Sequence, residues 1–289
     1  MLPQQIGRGC LRLRLLPITS VGNPRWFSND QNYVKVEQDS EMENVAIVTM
    51  QKKPVNSLCS DHLQELATAF EGLAGNKKYK AAILTSGLPG IFSAGLDLLS
   101  MYGRTYDEIY AFWSSFQKAW ITLYGNPLIT VAGINGNSPA GGCLLALSCD
   151  HRVMAEGKYG IGLNETKVGI VAPIWMKNTM QNVIGFRETD RALQEGKMFT
   201  PPQAKEIGLV DVVAPMDQII PSCREFIKDY LKLPYGPRSL TKQMMRQDTI
   251  NQLQSKLHQD ADFTANFLTQ DVFQNALEKY VQALAKKSK

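Results

Sequence analysis

Long apolar runs, cysteine frameworks and clustered histidines are all missing from this 289-residue chain. No stretch approaches the ~18 consecutive apolar residues of a membrane-crossing helix, so no membrane span is expected. The five cysteines, Cys10, Cys59, Cys143, Cys149 and Cys223, include no CxxC and have no framework spacing. They point to free thiols in a reducing compartment rather than to a disulfide scaffold. His62, His151 and His258 lack metal-ligand spacing, and no metal is expected. GxxxxGK[ST], GxSxG and HExxH are absent, and Gly160-Ile161-Gly162 lacks the third glycine of a dinucleotide loop. Ser93 and Ser138 sit in no nucleophile motif, so a serine nucleophile is not expected.

Charge imbalance is missing too, once it is located. The 31 basic residues exceed the 27 acidic ones, for a net charge of +4. Arg8, Arg12, Arg14 and Arg25 account for the whole excess, because residues 1–29 contain no acid. The body is balanced, and no nucleic-acid partner is expected. The Arg-bearing, acid-free leader, with Leu11, Leu13, Leu15, Leu16 and Ile18, has no secretory h-region. It reads as a mitochondrial transit peptide over residues 1–28, and Arg25-Trp26-Phe27-Ser28 resembles a matrix-peptidase cleavage site. The expected location is the mitochondrial matrix; a disordered tail is the alternative reading of the leader. The C-terminal KKSK is not the SKL peroxisomal address.

What is present is an ordinary globular composition, 44% apolar and 20% charged. Strands are expected at Tyr33–Glu37, Val45–Met50, Ala81–Thr85, Leu128–Ile134 and Arg152–Ala155. Between them lie a helix capped by Ser60, with Leu63, Leu66, Ala67, Phe70 and Leu73 on one face, and an aromatic-rich helix over Tyr106–Tyr124. Only Lys118 is basic in that second helix, so its aromatics read as core rather than as a stacking platform. Ala140–Ser148 is a short helix of small and apolar residues, and Pro173 opens another running through Ile184. Thr200–Val213 reads as a capped helix, a glycine stop and a strand. Helices then follow over Ile219–Leu231, Leu240–Leu257 and Phe263–Ala285. The alternation predicts an α/β core over residues 29–213 and a helical region over 214–289.

Two turns can offer backbone amides: Ala94-Gly95-Leu96-Asp97 and Pro139-Ala140-Gly141-Gly142. A helix start leaves N–H groups unpaired and positively polarised, which suits an oxyanion. Ordinary turns and close helix packing explain the same glycines. Glu165 stands among Ile161, Leu163, Val168 and Ile170, apolar neighbours able to desolvate a carboxylate and raise its pKa. The competing reading is a solvated loop acid paired with Lys158 or Lys167.

FSAGLDL (Phe92–Leu98), INGNSPAGGC (Ile134–Cys143), ALSCDHRVMAE (Ala146–Glu156) and AKEIGLVDVV (Ala204–Val213) occur in order. Together they resemble the crotonase, or enoyl-CoA hydratase/isomerase, superfamily over about residues 33–285. The resemblance implies a spiral of repeated ββα units and a helical C-terminal trimerisation region, hence a homotrimer. It implies Glu165 as catalytic base and an oxyanion hole from the Leu96 N–H and an N–H of Ala140 or Gly141. Substrate contacts are implied at Ser93, Ala94, Gly95, Leu96, Asp97, Ala140 and Asn164. CoA belongs to the substrate, an enoyl-CoA thioester, and no separate cofactor is implied. Hydratases of the superfamily carry a second glutamate just after Gly-Gly-Cys; here that position is Leu144. A lone base suits proton transfer from C2 to C4, so the expected reaction converts 3-enoyl-CoA to trans-2-enoyl-CoA in fatty-acid β-oxidation. The alternatives are a hydratase-like enzyme and a non-catalytic acyl-CoA- or RNA-binding member of the fold.

Overall fold

The computed structural model describes residues 32–287, so the leader expected over 1–28 lies outside the described residues. In chain order the elements are β1 (Val34–Gln38), β2 (Val45–Met50), α1 (Ser60–Gly75), β3 (Ala81–Ser86), β4 (Gly90–Ile91), α2 (Tyr106–Tyr124), β5 (Ile129–Ile134), β6 (Gly136–Pro139) and α3 (Gly141–Ser148). They continue with β7 (His151–Ala155), β8 (Ile161–Gly162), α4 (Ile174–Glu195), α5 (Pro201–Glu206), β9 (Val212–Ala214), α6 (Ile219–Leu231), α7 (Tyr235–Gln254), α8 (Leu257–Leu268) and α9 (Asp271–Lys287).

The strands form two sheets. The larger has the order β1-β2-β3-β5-β7-β9, antiparallel only at β1–β2. The smaller, β4-β6-β8, is wholly parallel. Each unit places one strand in each sheet and then a helix: β3-β4-α2, β5-β6-α3, β7-β8-α4. This is the repeated ββα organisation expected of the core.

A parallel sheet covered on both faces needs apolar residues at successive positions, and all six residues of β5 are buried. Side chains alternate between the faces. Ala81, Ile83, Ile129, Val131 and Val153 meet Ile219, Cys223 and Ile227 of α6, which recur at helical spacing. On the other face Ala82, Leu84, Ala132, Ile134 and Met154 join the main core with the apolar sides of α1, α2 and α3. Trp113, Phe116, Trp120 and Tyr124 are buried there, as the reading of α2 as core requires.

Helix α3 lies wholly inside this core, every residue buried. Its C-terminal carbonyls are bonded from α7: Arg246 donates to Ser148 O at 2.9 Å and to Cys149 O at 3.3 Å. The same guanidinium meets Asp150 at 2.8 Å, and Lys242, one turn earlier, meets it at 2.9 Å. The pair Asp39–Arg224, at 2.8 Å, similarly ties the β1–β2 turn to α6.

Several boundaries differ from expectation, each for a local reason. Cys59, not Ser60, is the N-cap of α1, and no side chain bonds the helix start there. Pro173 precedes α4 as its N-cap, and Gly185, with φ of 76°, interrupts the helix that then resumes to Glu195. Helix α7 begins at Tyr235 rather than Leu240, because Pro237 falls within its first turn, where a missing N–H costs nothing. The single helix expected over Phe263–Ala285 is two: α8 stops near Thr269, and the Gln270 carbonyl accepts from Phe273 and Gln274 N–H to start α9.

The small sheet depends on backbone contact. A Cβ on Gly136 would lie 1.9 Å from the Gly90 carbonyl carbon. Gly136→Ala is expected to destabilise the fold by about 3 kcal/mol or more, as overpacking against immovable backbone does. Chemical denaturation with near- and far-UV circular dichroism measures this.

Candidate active site

Because β4, β6 and β8 run parallel, the loops leaving their C-terminal ends emerge on one edge of the small sheet. They are Ser93–Asp97, Ala140–Gly141 and Asn164–Glu165, so one edge gathers the residues singled out from the sequence. The carboxyl edge of a parallel sheet is where α/β folds hold ligands.

The first loop is braced by its neighbours. Leu58 N–H donates to Gly95 O at 2.8 Å and Asp97 N–H to Leu58 O at 3.1 Å. Ala94 N–H donates to Val55 O at 2.9 Å. Among the described residues, the Leu96 N–H between them has no acceptor. Gly95 has φ of 84°, and a Cβ there would lie 3.0 Å from that of Ala140, so this crossing needs glycine. Ser93 is fully buried; its hydroxyl donates to Asn56 O at 2.7 Å and accepts from Gly95 N–H at 3.2 Å. Its side chain therefore holds the loop. The Asp97 carboxylate is likewise engaged, by Leu99 N–H at 3.1 Å, Ser57 Oγ at 3.2 Å and Lys52 Nζ at 3.2 Å.

In the second loop the two candidate donors separate. Ala140 N–H is bonded to Gly162 O at 2.8 Å and has no proton to offer an oxyanion. Gly141 opens α3, and the first N–H of a helix has no partner within it. A Cβ on Gly141 would sit 3.4 Å from Leu96 N, so the two unpaired amides are neighbours. Ala140 itself takes φ of 48°, a conformation that costs a non-glycine residue about 1–3 kcal/mol and that turns the chain into α3.

Glu165 begins a short 3-10 helix, Glu165–Val168, closed by Gly169 at φ of 81°. Its side chain is buried at 5% exposure, and among the described residues its Oε2 has no hydrogen-bond partner. Among the described residues no ion pair involves it, so the pairing with Lys158 or Lys167 is not formed. Burial pushes its pKa up to about 7, opposed only by its own backbone N–H, and no second acid contributes. Burial also raises the Cys143 thiol, and the Glu165 charge raises it further, which places that carboxylate close to α3. Leu144, one residue on, is fully buried. Asn164 is half-buried, and its carbonyl accepts from Lys167 N–H at 3.0 Å. The contrast with Asp39 and Asp150 is informative. Those acids are paired with Arg224 and with Lys242 and Arg246, whereas Glu165 is buried without a countercharge.

Sequence reasoning missed Asn56. It sits at φ of 50°, fully buried, and its Nδ2 donates to Ser86 Oγ at 2.8 Å, Phe92 O at 3.0 Å and Met50 O at 3.3 Å. It thereby fixes the entry to the Ser93–Asp97 loop. The available signal was its residue type, since asparagine tolerates positive φ, directly after the Pro54-Val55 break.

Comparison with known proteins follows the same lines. The enoyl-CoA hydratase/isomerase family pattern matches residues 40–287. The chain is 44% identical to enoyl-CoA delta isomerase 1, mitochondrial, of Mus musculus over 269 residues, covering 93% of this chain and 92% of that one. It is 42% identical to the Homo sapiens protein of the same description over 252 residues, 87% and 83% of the two chains. The crystal structure of human mitochondrial delta3-delta2-enoyl-CoA isomerase superposes with a TM-score of 0.87 at 40% identity, covering 89% of this chain and all of that one. Bacillus halodurans enoyl-CoA hydratase, with a TM-score of 0.75 at 22% identity and coverage of 86% and 100%, shares the fold.

The lone buried acid makes a stability prediction. Its folded pKa of about 7 exceeds the ordinary 4.5, so the native state holds a proton that the unfolded chain has released. The stability carried by the neutral form is complete below about pH 4.5 and is lost as pH rises through about 7. Glu165→Gln, a permanent neutral mimic, is expected to be more stable than wild type at pH 8 by up to ~3 kcal/mol, since each tenfold difference in proton affinity between the folded and unfolded chain is worth about 1.4 kcal/mol. The difference should vanish near pH 4.5, as urea unfolding at the two pH values would show.

Proposed function

This chain belongs to the enoyl-CoA hydratase/isomerase family, and we propose that within it the protein moves the double bond of a 3-enoyl-CoA to give trans-2-enoyl-CoA in mitochondrial fatty-acid β-oxidation. The observation that carries this reading is the solitude of Glu165. Hydration needs a water activated and a proton delivered, work suited to two acids. Here the place of the second is taken by the buried Leu144. Isomerisation asks only that one base take a proton and return it elsewhere.

The thioester oxygen lies between the Leu96 and Gly141 N–H groups. Glu165, ionised, removes a proton from C2; the C2 electron pair delocalises as a dienolate whose oxygen charge the two amides hold. Each such donor is typically worth about 2.7–4 kcal/mol in the transition state. The protonated carboxyl then delivers the same proton to C4, and the double bond comes to rest between C2 and C3. Glu165 finishes as it began, with no net change in protonation. A base with a pKa of about 7 suits both halves, because it neither holds nor releases the proton too firmly near neutral pH.

The matrix is the compartment that fits this reaction and the arginine-bearing leader. The homotrimer follows from the same reading. Leu240 and Met244, one turn apart on α7, and Phe186 on α4 are exposed apolar side chains that self-association would cover.

Glu165→Gln is expected to lower kcat by about 10²–10⁴-fold while the Kd for a saturated acyl-CoA stays within a few-fold. Near-full isomerase activity in that variant would sink the assignment. For wild type, kcat/KM should rise with pH through about 7 and then level off, because the base must be ionised in the free enzyme. A native mass of three chains by analytical ultracentrifugation checks the trimer.

A further inference from the structure

We infer that Lys52 supports the reaction without touching the reacting atoms: it neutralises Asp97, so that this carboxylate braces the Leu96 loop without opposing the charge that gathers on the thioester oxygen. Lys52 is thus a positioning residue, and the inference rests on the isomerase reading of the site above.

Backbone pairing aims the Leu96 N–H. Gly95 C=O and Leu96 N–H belong to one trans peptide unit, so they point in opposite directions. Leu58 N–H donates to Gly95 O at 2.8 Å, which turns the Leu96 N–H away from Leu58. Asp97 N–H returns to Leu58 O at 3.1 Å and closes the pairing.

Side chains clasp the same two segments, for Ser57 precedes Leu58 and Asp97 follows Leu96. Ser57 Oγ accepts from Lys52 Nζ at 2.7 Å and donates to Asp97 Oδ2 at 3.2 Å. Lys52 Nζ also meets Asp97 Oδ2 directly, at 3.2 Å. The other carboxylate oxygen, Asp97 Oδ1, accepts from Leu99 N–H at 3.1 Å. Both charged side chains are largely shielded, 14% and 19% exposed, so salt screens the pair little. Among the described residues, neither forms another ion pair. His62 backs the clasp, its Nδ1 donating to the Ser57 carbonyl at 3.2 Å. Burial, with Lys52 adding to it, pushes the His62 pKa down to about 4, so the ring is neutral and brings no charge.

The Asp97 carboxylate is useful for its bonds and adverse for its charge. It stands one residue from an amide proposed to hold a developing oxyanion, where water screens charge poorly. Lys52 cancels the charge and leaves the bonds in place.

The test compares Lys52→Met, Asp97→Asn, the double variant and Lys52→Arg with wild type, all as the full chain. The readouts are kcat for a 3-enoyl-CoA, Kd for a saturated acyl-CoA by calorimetry, and the infrared carbonyl stretch of that bound thioester, isotopically labelled at the carbonyl carbon. Wild type should draw the stretch to lower frequency, because two amide donors polarise the carbonyl. Lys52→Met should lower kcat about 10–100-fold, less than the loss of a whole donor, with Kd held within about threefold and the carbonyl shift reduced. Asp97→Asn breaks the same ion pair but leaves a cation near the oxyanion, so its kcat should fall less. The double variant restores charge balance and should recover most of the Lys52→Met loss. Lys52→Arg keeps the charge and should keep most of the wild-type kcat. Equal losses from the two single variants, or no recovery in the double, would overturn the inference, because the clasp would then be structural alone. A weakened Kd at unchanged kcat in Lys52→Met would also overturn it, by making Lys52 a ligand contact, as would an unchanged kcat and carbonyl shift. The carbonyl shift needs no turnover. A shift that depends on Lys52 in a protein that does not isomerise would sink the reaction assignment and leave the role of Lys52 standing.

Discussion

The hydrogen bond from Ala140 N–H to Gly162 O holds the site together. It joins the turn after β6 to the end of β8, and it consumes the one amide that would otherwise compete with Gly141. With Ala140 fixed, the chain enters α3 with the Gly141 N–H free, and the loop that carries Glu165 starts just beyond the acceptor. The proposed donor and the proposed base are therefore set by one contact between adjacent strands. The glycines of the small sheet serve the same end: Gly162 lies so near Lys197 O that a Cβ would sit at 2.2 Å, and no bulkier residue could hold this register.

Around that contact the fold sorts its buried charges into two kinds. Asp39 and Asp150 are held below the ordinary carboxylate range by their cationic partners and act as ties between elements, despite the burial that opposes this. Among the described residues Glu165 has no such partner, and desolvation outweighs the opposing pull of its own backbone N–H. A buried acid without a countercharge weakens a fold once ionised. Its place on the same sheet edge as the Leu96 and Gly141 amides fits the proposed chemistry rather than an architectural role.

Much of the architecture was legible in the chain because it follows from period and apolar content. Strand β2 and helices α2 and α6 have the bounds that their patterns predict, since long amphipathic helices and buried parallel strands are strongly over-determined. Glu165 and the two amide turns were legible as residue types in suggestive company. What escaped were matters of pairing. Nothing in AGG says that Ala140 spends its N–H on a strand further along the chain, or that Ser93 and Asp97 turn inward to Asn56 and Lys52. Those outcomes depend on contacts between segments distant in sequence. The division of α8 from α9 escaped for a different reason, because the apolar rhythm continues across the break.

Helix α3 has one more consequence. Its first amide is the proposed donor to the reacting oxygen, while its last carbonyls are gripped by Arg246 from α7. A helix of eight residues is marginal by itself and owes its persistence to its surroundings. Its rigidity is thus borrowed from both sides of the molecule. Slow amide exchange along α3 would report on the docking of α7 as much as on the sheet. The oxyanion site would then loosen whenever the C-terminal helices lift away, even with every residue at its edge still in place.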